Sequence, residues 1–119
     1  MSSRPEELRD RTKAFALRII RLFRSLPYRT DAQVLGKQLL RCGTSVAANY
    51  RAVCRARSKA EFIARIGIVA EEADEVVLWM ELLTESGIIK PERTEALLKE
   101  AKELAAILTA SQQTARKSA

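Results

Sequence analysis

Five acidic residues lie close together in the 119-residue chain, and carboxylates in such a group can bind metal ions or transfer protons. They are Glu71, Glu72, Asp74, Glu75 and Glu81. A di-metal centre in a helical bundle, however, needs inward carboxylates from several helices, and histidine usually accompanies them. Here the acids lie on one predicted helix, mostly off its apolar face. The pattern therefore predicts an acidic surface, with no metal or cofactor.

The chain contains no histidine, and this absence narrows the chemistry open to it. It removes histidine acid–base catalysis, the Ser-His and Cys-His nucleophile systems, and most zinc sites. Cys42 and Cys54 lie twelve residues apart on one predicted helix. Their backbones would be about 18 Å apart, too far for a disulfide. We therefore expect both cysteines to be reduced thiols that pack inside the protein. Because histidine is absent, we also expect that the protein is not an enzyme.

Basic residues recur on one face of each of the first two predicted helices. Four in the second helix fall within about 80° of one another on a helical wheel, and two in the first are seven residues apart. The second-helix group is Lys37, Arg41, Arg51 and Arg55, and the first-helix pair is Arg11 and Arg18. Guanidinium groups suit phosphate oxygens, and no aromatic residue interleaves for base stacking. The pattern predicts salt-dependent binding to the nucleic-acid backbone, and a solvated face without a ligand is the alternative.

The net charge of +6 is distributed unevenly along the chain. Residues 27–58 contain six basic residues and one acidic residue, whereas residues 59–90 contain three basic and seven acidic residues. A basic first half followed by an acidic segment favours packing or assembly in which unlike segments meet.

The third predicted helix has an apolar strip outside its core stripe. Ile68, Trp79 and Leu82 form this strip, with Glu72 and Glu75 between them. The resulting apolar arc is wider than a monomeric four-helix bundle needs, so it predicts an interface between copies of the chain. In the alternative interpretation, Trp79 covers only the edge of the bundle.

The second predicted helix also has a line of small residues beside two polar ones. The small residues are Gly36, Gly43, Ala47 and Cys54. Glycine is unfavourable inside a helix, so the line predicts a close approach of another helix. Ser45 and Asn49 lie at the border of the apolar face and form a buried polar motif. We expect Arg41 and the carboxylates of the third helix to be their partners.

Four amphipathic segments position these residues. Capping boxes begin at Ser3 and Ser58, and Thr30-Asp-Ala-Gln33 is the cap signal of the second segment. Pro27 ends the first segment, Gly87 follows the third, and Pro91 begins the fourth. Apolar residues repeat at intervals of three and four in each segment. Short connections between such helices predict an all-α, antiparallel up-down-up-down four-helix bundle.

The predicted bundle forms a single domain over residues 1–110, and the polar residues 111–119 form a tail that frays. No run approaches the 20 or so apolar residues of a membrane span, and the first residues have no apolar signal region. We therefore expect a cytoplasmic protein without a membrane partner.

The residues Gln38-Leu-Leu-Arg-Cys-Gly-Thr-Ser-Val-Ala-Ala-Asn49 and Arg57-Ser-Lys-Ala-Glu-Phe62 carry a resemblance to a known family. The chain resembles the bacterial four helix bundle proteins, also called 23S rRNA intervening-sequence proteins. After the asparagine, the commonest family pattern reads Ile-Ala-Glu-Gly, whereas this chain has Tyr50-Arg-Ala-Val53. No role of that glutamate is carried over.

The resemblance implies an antiparallel four-helix bundle that assembles as a ring-like homopentamer and has no known enzymatic activity. A related group, the accessory proteins of diversity-generating retroelements, forms basic pentameric barrels that bind nucleic acid and partner a reverse transcriptase. We therefore expect a non-enzymatic homo-oligomer that binds RNA or DNA. A scaffold whose basic surface docks an acidic protein partner is the alternative.

Overall fold

The computed structural model describes residues 5–118, which form four helices and no strand. The helices are α1 (Pro5–Arg24), α2 (Thr30–Cys54), α3 (Lys59–Glu85) and α4 (Pro91–Lys117). The predicted all-α four-helix bundle is thereby confirmed. Within the described part of the chain, no helix is both long enough and apolar enough to span a bilayer.

Contacts near both ends of the α3–α4 pair show that the two helices are antiparallel. The side chain of Gln112, late in α4, donates to the backbone oxygen of Ile63, early in α3, at 3.0 Å. At the opposite end, the hydroxyl oxygens of Thr84 and Thr94 lie 3.2 Å apart. The same reversed order relates α1 to α2 and α2 to α3.

The core contains the apolar positions that the periodicity predicts. Phe15, Leu39, Ile66 and Leu104, one from each helix, are all at most 1% exposed. Burying a side chain of this size is worth about 1.5–3 kcal/mol relative to leaving it in water. Each helix therefore contributes its apolar face to one shared core.

Two buried threonines were not predicted as core residues. The hydroxyl of Thr12 donates to the backbone oxygen of Arg9 at 3.1 Å, and that of Thr94 donates to the oxygen of Pro91 at 3.2 Å. Because each hydroxyl bonds its own helix, neither leaves an unpaired polar group in the core.

The predicted signals at the ends of α3 and α4 are confirmed. Ser58 caps α3 by accepting a hydrogen bond from the backbone nitrogen of Glu61 at 3.0 Å. Gly87 follows α3 with φ of +84°, a conformation that residues with a Cβ rarely adopt. Pro91 is the first residue of α4. Ser3 lies outside the described residues.

The cap predicted at Thr30 is wrong. Thr30 is the first residue of α2, and the N-cap residue is Arg29, which makes no side-chain cap hydrogen bond. Helix α1 ends at Arg24, three residues before Pro27.

Helix α4 is longer than predicted, because it continues to Lys117 without a break at residue 110. Its polar last turns still pack on α3 through the Gln112 side chain, which lies over Gly67. Lys59 in α3 also donates to the backbone oxygen of Ser118. The residues after 110 have no apolar periodicity, so the sequence pattern did not predict a helix there. The tail that was predicted to fray is helical as far as Lys117.

The close approach predicted from small residues occurs between α1 and α2. A Cβ added at Gly43 would lie 2.8 Å from two carbons of Ile19, and one added at Gly36 would meet Leu26. Cys54 does not take part, because it is the last residue of α2 and is exposed. The expectation of a packing thiol holds for Cys42, which is buried, and is wrong for Cys54.

Candidate nucleic-acid interface and adjoining surfaces

The basic residues of α2 and its C-cap residue, Arg55, lie on the solvent-facing side of the helix. Lys37, Arg51 and Arg55 are exposed and form no ion pair within residues 5–118. Their spacing follows from the α-helix, since residues 14 or 18 positions apart return to about the same side. The three cations therefore form an uncompensated basic face, which we call the α2 basic row.

Arg41 belongs to the same side of α2 but has neighbours that the other three lack. Its guanidinium lies 3.6 Å from a carboxylate oxygen of Glu75 and 3.3 Å from the side-chain oxygen of Gln38. Both members of the Arg41–Glu75 pair are about half exposed, and such pairs contribute at most about 1 kcal/mol. Arg41 thus links α2 to α3 weakly while its guanidinium still reaches solvent.

Arg11 is bound inside the molecule, which corrects the prediction that its guanidinium is free for phosphate. It donates two hydrogen bonds of 2.7 Å to Glu100 and one of 2.8 Å to Glu103, so it joins α1 to α4. These hydrogen bonds raise the pKa of Arg11 well above its ordinary value. Sequence periodicity does not predict this partnership, because Glu100 is 89 residues away. Arg18 is half-buried and forms no ion pair within the described residues.

The predicted buried polar motif, Ser45 and Asn49, is half-buried, and Asn49 is the member that contacts an acid of α3. The side-chain nitrogen of Asn49 donates to Glu72 at 2.7 Å, which confirms a third-helix carboxylate as its partner. Ser45, one turn before Asn49, is half-buried and makes no side-chain hydrogen bond in the described structure. The Cys42 thiol donates to Glu75 at 3.4 Å, and burial together with this carboxylate raises the pKa of Cys42 to about 11.

The predicted apolar strip of α3 is only partly exposed. Ile68 is 51% exposed and Leu82 is 40% exposed, and Leu78, which was not predicted as part of the strip, is 48% exposed. Trp79 is half-buried and packs against the core, so it covers the edge of the bundle. Its indole nitrogen is buried without a hydrogen-bond partner among the described residues. We call Ile68, Leu78 and Leu82 the α3 apolar patch.

Some acids of α3 contact another helix, and others are exposed on the surface. Glu72 and Glu75 bond to α2, whereas Glu71 and Asp74 are exposed on the side that faces α4. Within residues 5–118, no three side chains of histidine, cysteine, aspartate or glutamate are grouped to hold a metal ion.

These features define the class of protein. It is a small antiparallel four-helix bundle with a basic face on α2 and a partly apolar, acidic face on α3. The model of the 23S rRNA-intervening sequence protein family matches residues 6–110, and the chain belongs to this family. The resemblance stated from the sequence is thereby confirmed.

A solved structure supports the same assignment. The chain is similar to a protein of unknown function from the S23 ribosomal protein family of Bacteroides thetaiotaomicron VPI-5482. The two are 33% identical, superpose with a TM-score of 0.84, and cover 92% of this chain and 97% of the other. No curated protein matches this chain.

Proposed function

We propose that this protein is a non-catalytic homo-oligomer that binds the backbone of RNA or DNA through the α2 basic row. The observation that carries the proposal is that Lys37, Arg51 and Arg55 are exposed and unpaired. By contrast, Arg11, Arg29 and Arg65 each lie 2.7–2.9 Å from a carboxylate. Cations left uncompensated on one face are those available to phosphate groups.

The chemistry of the row predicts how binding responds to salt. Phosphate contacts release counterions, so the logarithm of the binding constant falls linearly with the logarithm of salt concentration, by about 0.9 per phosphate for duplex DNA. Three contacts per subunit would give a slope of about −2.7. Repetition of the row in an oligomer would make the slope steeper.

A charge reversal at the row tests the proposal. We expect the double variant Arg51→Glu/Arg55→Glu to abolish binding of a fluorescein-labelled 20-base-pair duplex at low salt, measured by fluorescence anisotropy. Circular dichroism and native mass spectrometry should show unchanged helicity and assembly. The change acts locally because each substitution places a carboxylate beside the phosphate backbone.

The matched control is Lys99→Glu/Lys102→Glu, which changes the net charge equally at two exposed residues of α4. We expect this variant to retain most of the binding. Equal loss in both double variants would mean that net charge alone attracts the duplex, and retained binding in Arg51→Glu/Arg55→Glu would place the interface elsewhere.

The homo-oligomer is supported by the α3 apolar patch. Ile68, Leu78 and Leu82 occupy one side of α3, and a partner surface would remove them from water. The family resemblance implies a pentamer, and we propose that number for this chain. The acidic neighbours of the patch favour a basic opposing surface.

An acidic protein partner is the second candidate for the α2 basic row, because a carboxylate cluster satisfies the same cations. Native mass spectrometry of protein purified at low salt without nuclease separates the two candidates. Heterogeneous extra mass that nuclease removes would support nucleic acid. A clean oligomer would favour the protein partner.

A further inference from the structure

A pocket of about 530 Å³ lies where α2 ends and α3 begins. Its lining residues are Ala52, Arg55, Arg57, Glu61 and Arg65. Three guanidinium groups from three successive parts of the chain therefore share one pocket, because the short turn after α2 folds α3 back beside it. Neither Arg57 nor Arg65 belongs to the α2 basic row.

Two of the three arginines have no carboxylate of their own. Arg55 and Arg57 form no ion pair within residues 5–118, whereas the Nε atom of Arg65 lies 2.9 Å from Glu61. The other oxygen of Glu61 accepts a hydrogen bond of 3.5 Å from the backbone nitrogen of Arg57. Three guanidinium groups against one carboxylate leave a net charge of about two positive units in the pocket.

The N-terminus of α3 adds positive potential beside this pocket. Ser58 caps the helix there, and its unpaired backbone N–H groups carry the positive end of the helix dipole. Lys59 does not line the pocket, and its ammonium donates to the backbone oxygen of Ser118 at the end of α4. The arginines are thus the cations that line the pocket.

We propose that this pocket binds one phosphate monoester dianion. A terminal phosphate carries between about 1.5 and 2 negative charges at neutral pH, which matches the pocket, whereas an internal phosphodiester carries one. Arginine binds such oxygens through paired hydrogen bonds, and a group with three terminal oxygens accepts more of these bonds than a diester does. The source of the group is the end of a nucleic acid or a free small phosphate, and only the first source rests on the proposed function.

The pocket is tested first with inorganic phosphate, which needs no nucleic acid. We expect titration at pH 7.5 and constant ionic strength to shift the arginine Nε–Hε signals of the pocket in NMR spectra. Arg57→Gln should weaken phosphate binding about tenfold, because it removes an unpaired cation from a turn outside the helices. Arg93→Gln, at an exposed position of α4, is the matched control and should bind phosphate as the unmodified chain does.

A second variant changes the affinity in the opposite direction. Glu61→Gln removes the competing carboxylate and frees Arg65, so we expect phosphate to bind several-fold more tightly. Loss of structure cannot produce a gain in affinity. The proposal is overturned if phosphate fails to shift the pocket signals, or if Arg57→Gln and Arg93→Gln weaken binding equally.

The source of the phosphate is tested with two otherwise identical single-stranded oligonucleotides that have a 5′-phosphate or a 5′-hydroxyl group. Tighter binding of the phosphorylated strand, lost in Arg57→Gln, assigns the pocket to nucleic-acid ends. Equal binding of the two strands, with inorganic phosphate still bound, assigns it to a free small phosphate. If neither strand binds but inorganic phosphate does, the proposed nucleic-acid binding is wrong and the phosphate site is retained.

Discussion

Arg41, Ser45 and Asn49, which carry much of the family resemblance, are spaced by one helical turn and follow the side of α2 nearest α3. Asn49 bonds to Glu72, and Arg41 lies near Glu75. A hydrogen bond to a charged group contributes about 1.5–3 kcal/mol, more than the half-exposed ion pair of Arg41 does. Asn49 therefore has a structural role in this chain, and Arg41 retains a guanidinium accessible to solvent.

The two cysteines differ in burial, and this difference predicts different reactivity. We expect Ellman's reagent at pH 8 to modify one thiol rapidly in the folded chain, that of Cys54, which is exposed. Cys42 is buried and its pKa is raised to about 11, so its reactive thiolate is scarce. Cys54→Ser should remove the rapid reaction and Cys42→Ser should preserve it. Two rapidly modified thiols in the folded protein would contradict the burial of Cys42.

The raised pKa of Cys42 has a consequence for stability. The unfolded thiol releases its proton near its ordinary pKa of 9.0, whereas the folded thiol keeps its proton up to about pH 11. The folded state then binds more protons, so the contribution of Cys42 to the free energy of unfolding decreases between these two pH values. Because Cys42→Ser has no thiol to titrate, its stability should fall less steeply over that interval.

At the level of the helices, close packing of α1 on α2 depends on glycine. In Gly43→Ala the new Cβ would lie 2.8 Å from the buried side chain of Ile19, and such overpacking costs about 1–3 kcal/mol. Alanine regains about 1 kcal/mol in helix propensity, so we expect a net decrease in the free energy of unfolding of up to about 2 kcal/mol. Urea unfolding followed by circular dichroism measures the change.

Gly67→Ala is the control for that prediction. A Cβ at Gly67 would meet only the flexible end of the Gln112 side chain, which can move aside, so we expect a small change of either sign. In the background of Ile19→Ala, the penalty of Gly43→Ala should be much smaller, since the two carbons at 2.8 Å are gone and only the Cβ of residue 19, at 3.1 Å, remains opposite. An unchanged penalty there would show that a contact other than Ile19 requires the glycine.

At the scale of the whole molecule, salt bridges connect the first helix of the chain to the last. Arg11 in α1 bonds to Glu100 and Glu103 in α4, and these bonds lie on the side of the bundle where its first and last helices meet. The contact uses one basic residue of the N-terminal half for folding. The α2 basic row forms no ion pair within residues 5–118, and the proposed function depends on this uncompensated surface.

The α3 apolar patch makes a prediction about assembly. We expect Ile68→Glu/Leu82→Glu to dissociate the oligomer, because two carboxylates would be buried in an apolar contact. Native mass spectrometry should then show mainly the 13.3 kDa chain. The control Ala96→Glu/Ala106→Glu adds the same charge at exposed positions of α4 and should leave the oligomer intact. If the Ile68→Glu/Leu82→Glu variant still assembles, the interface lies on another face.

The sequence by itself determined the four helices, their order and most of their core, because periodic burial and end signals act within one segment. Phe15 and Ile66 are found at their predicted core positions, and Ser58 and Gly87 at their predicted helix ends. The glycines of α2 likewise predicted the close approach of another helix, but not that this helix is α1. Local periodicity could not show where polar side chains meet.

Only the tertiary structure decided which basic side chains remain unpaired and available to a ligand. Arg11 and Arg51 are equivalent in the sequence pattern, yet Arg11 is paired across 89 residues and Arg51 is unpaired within the described chain. The pocket of Arg55, Arg57 and Arg65 likewise depends on the turn that brings α3 back beside α2. An ion pair or pocket depends on distances through space, and these distances exist only after the helices have packed.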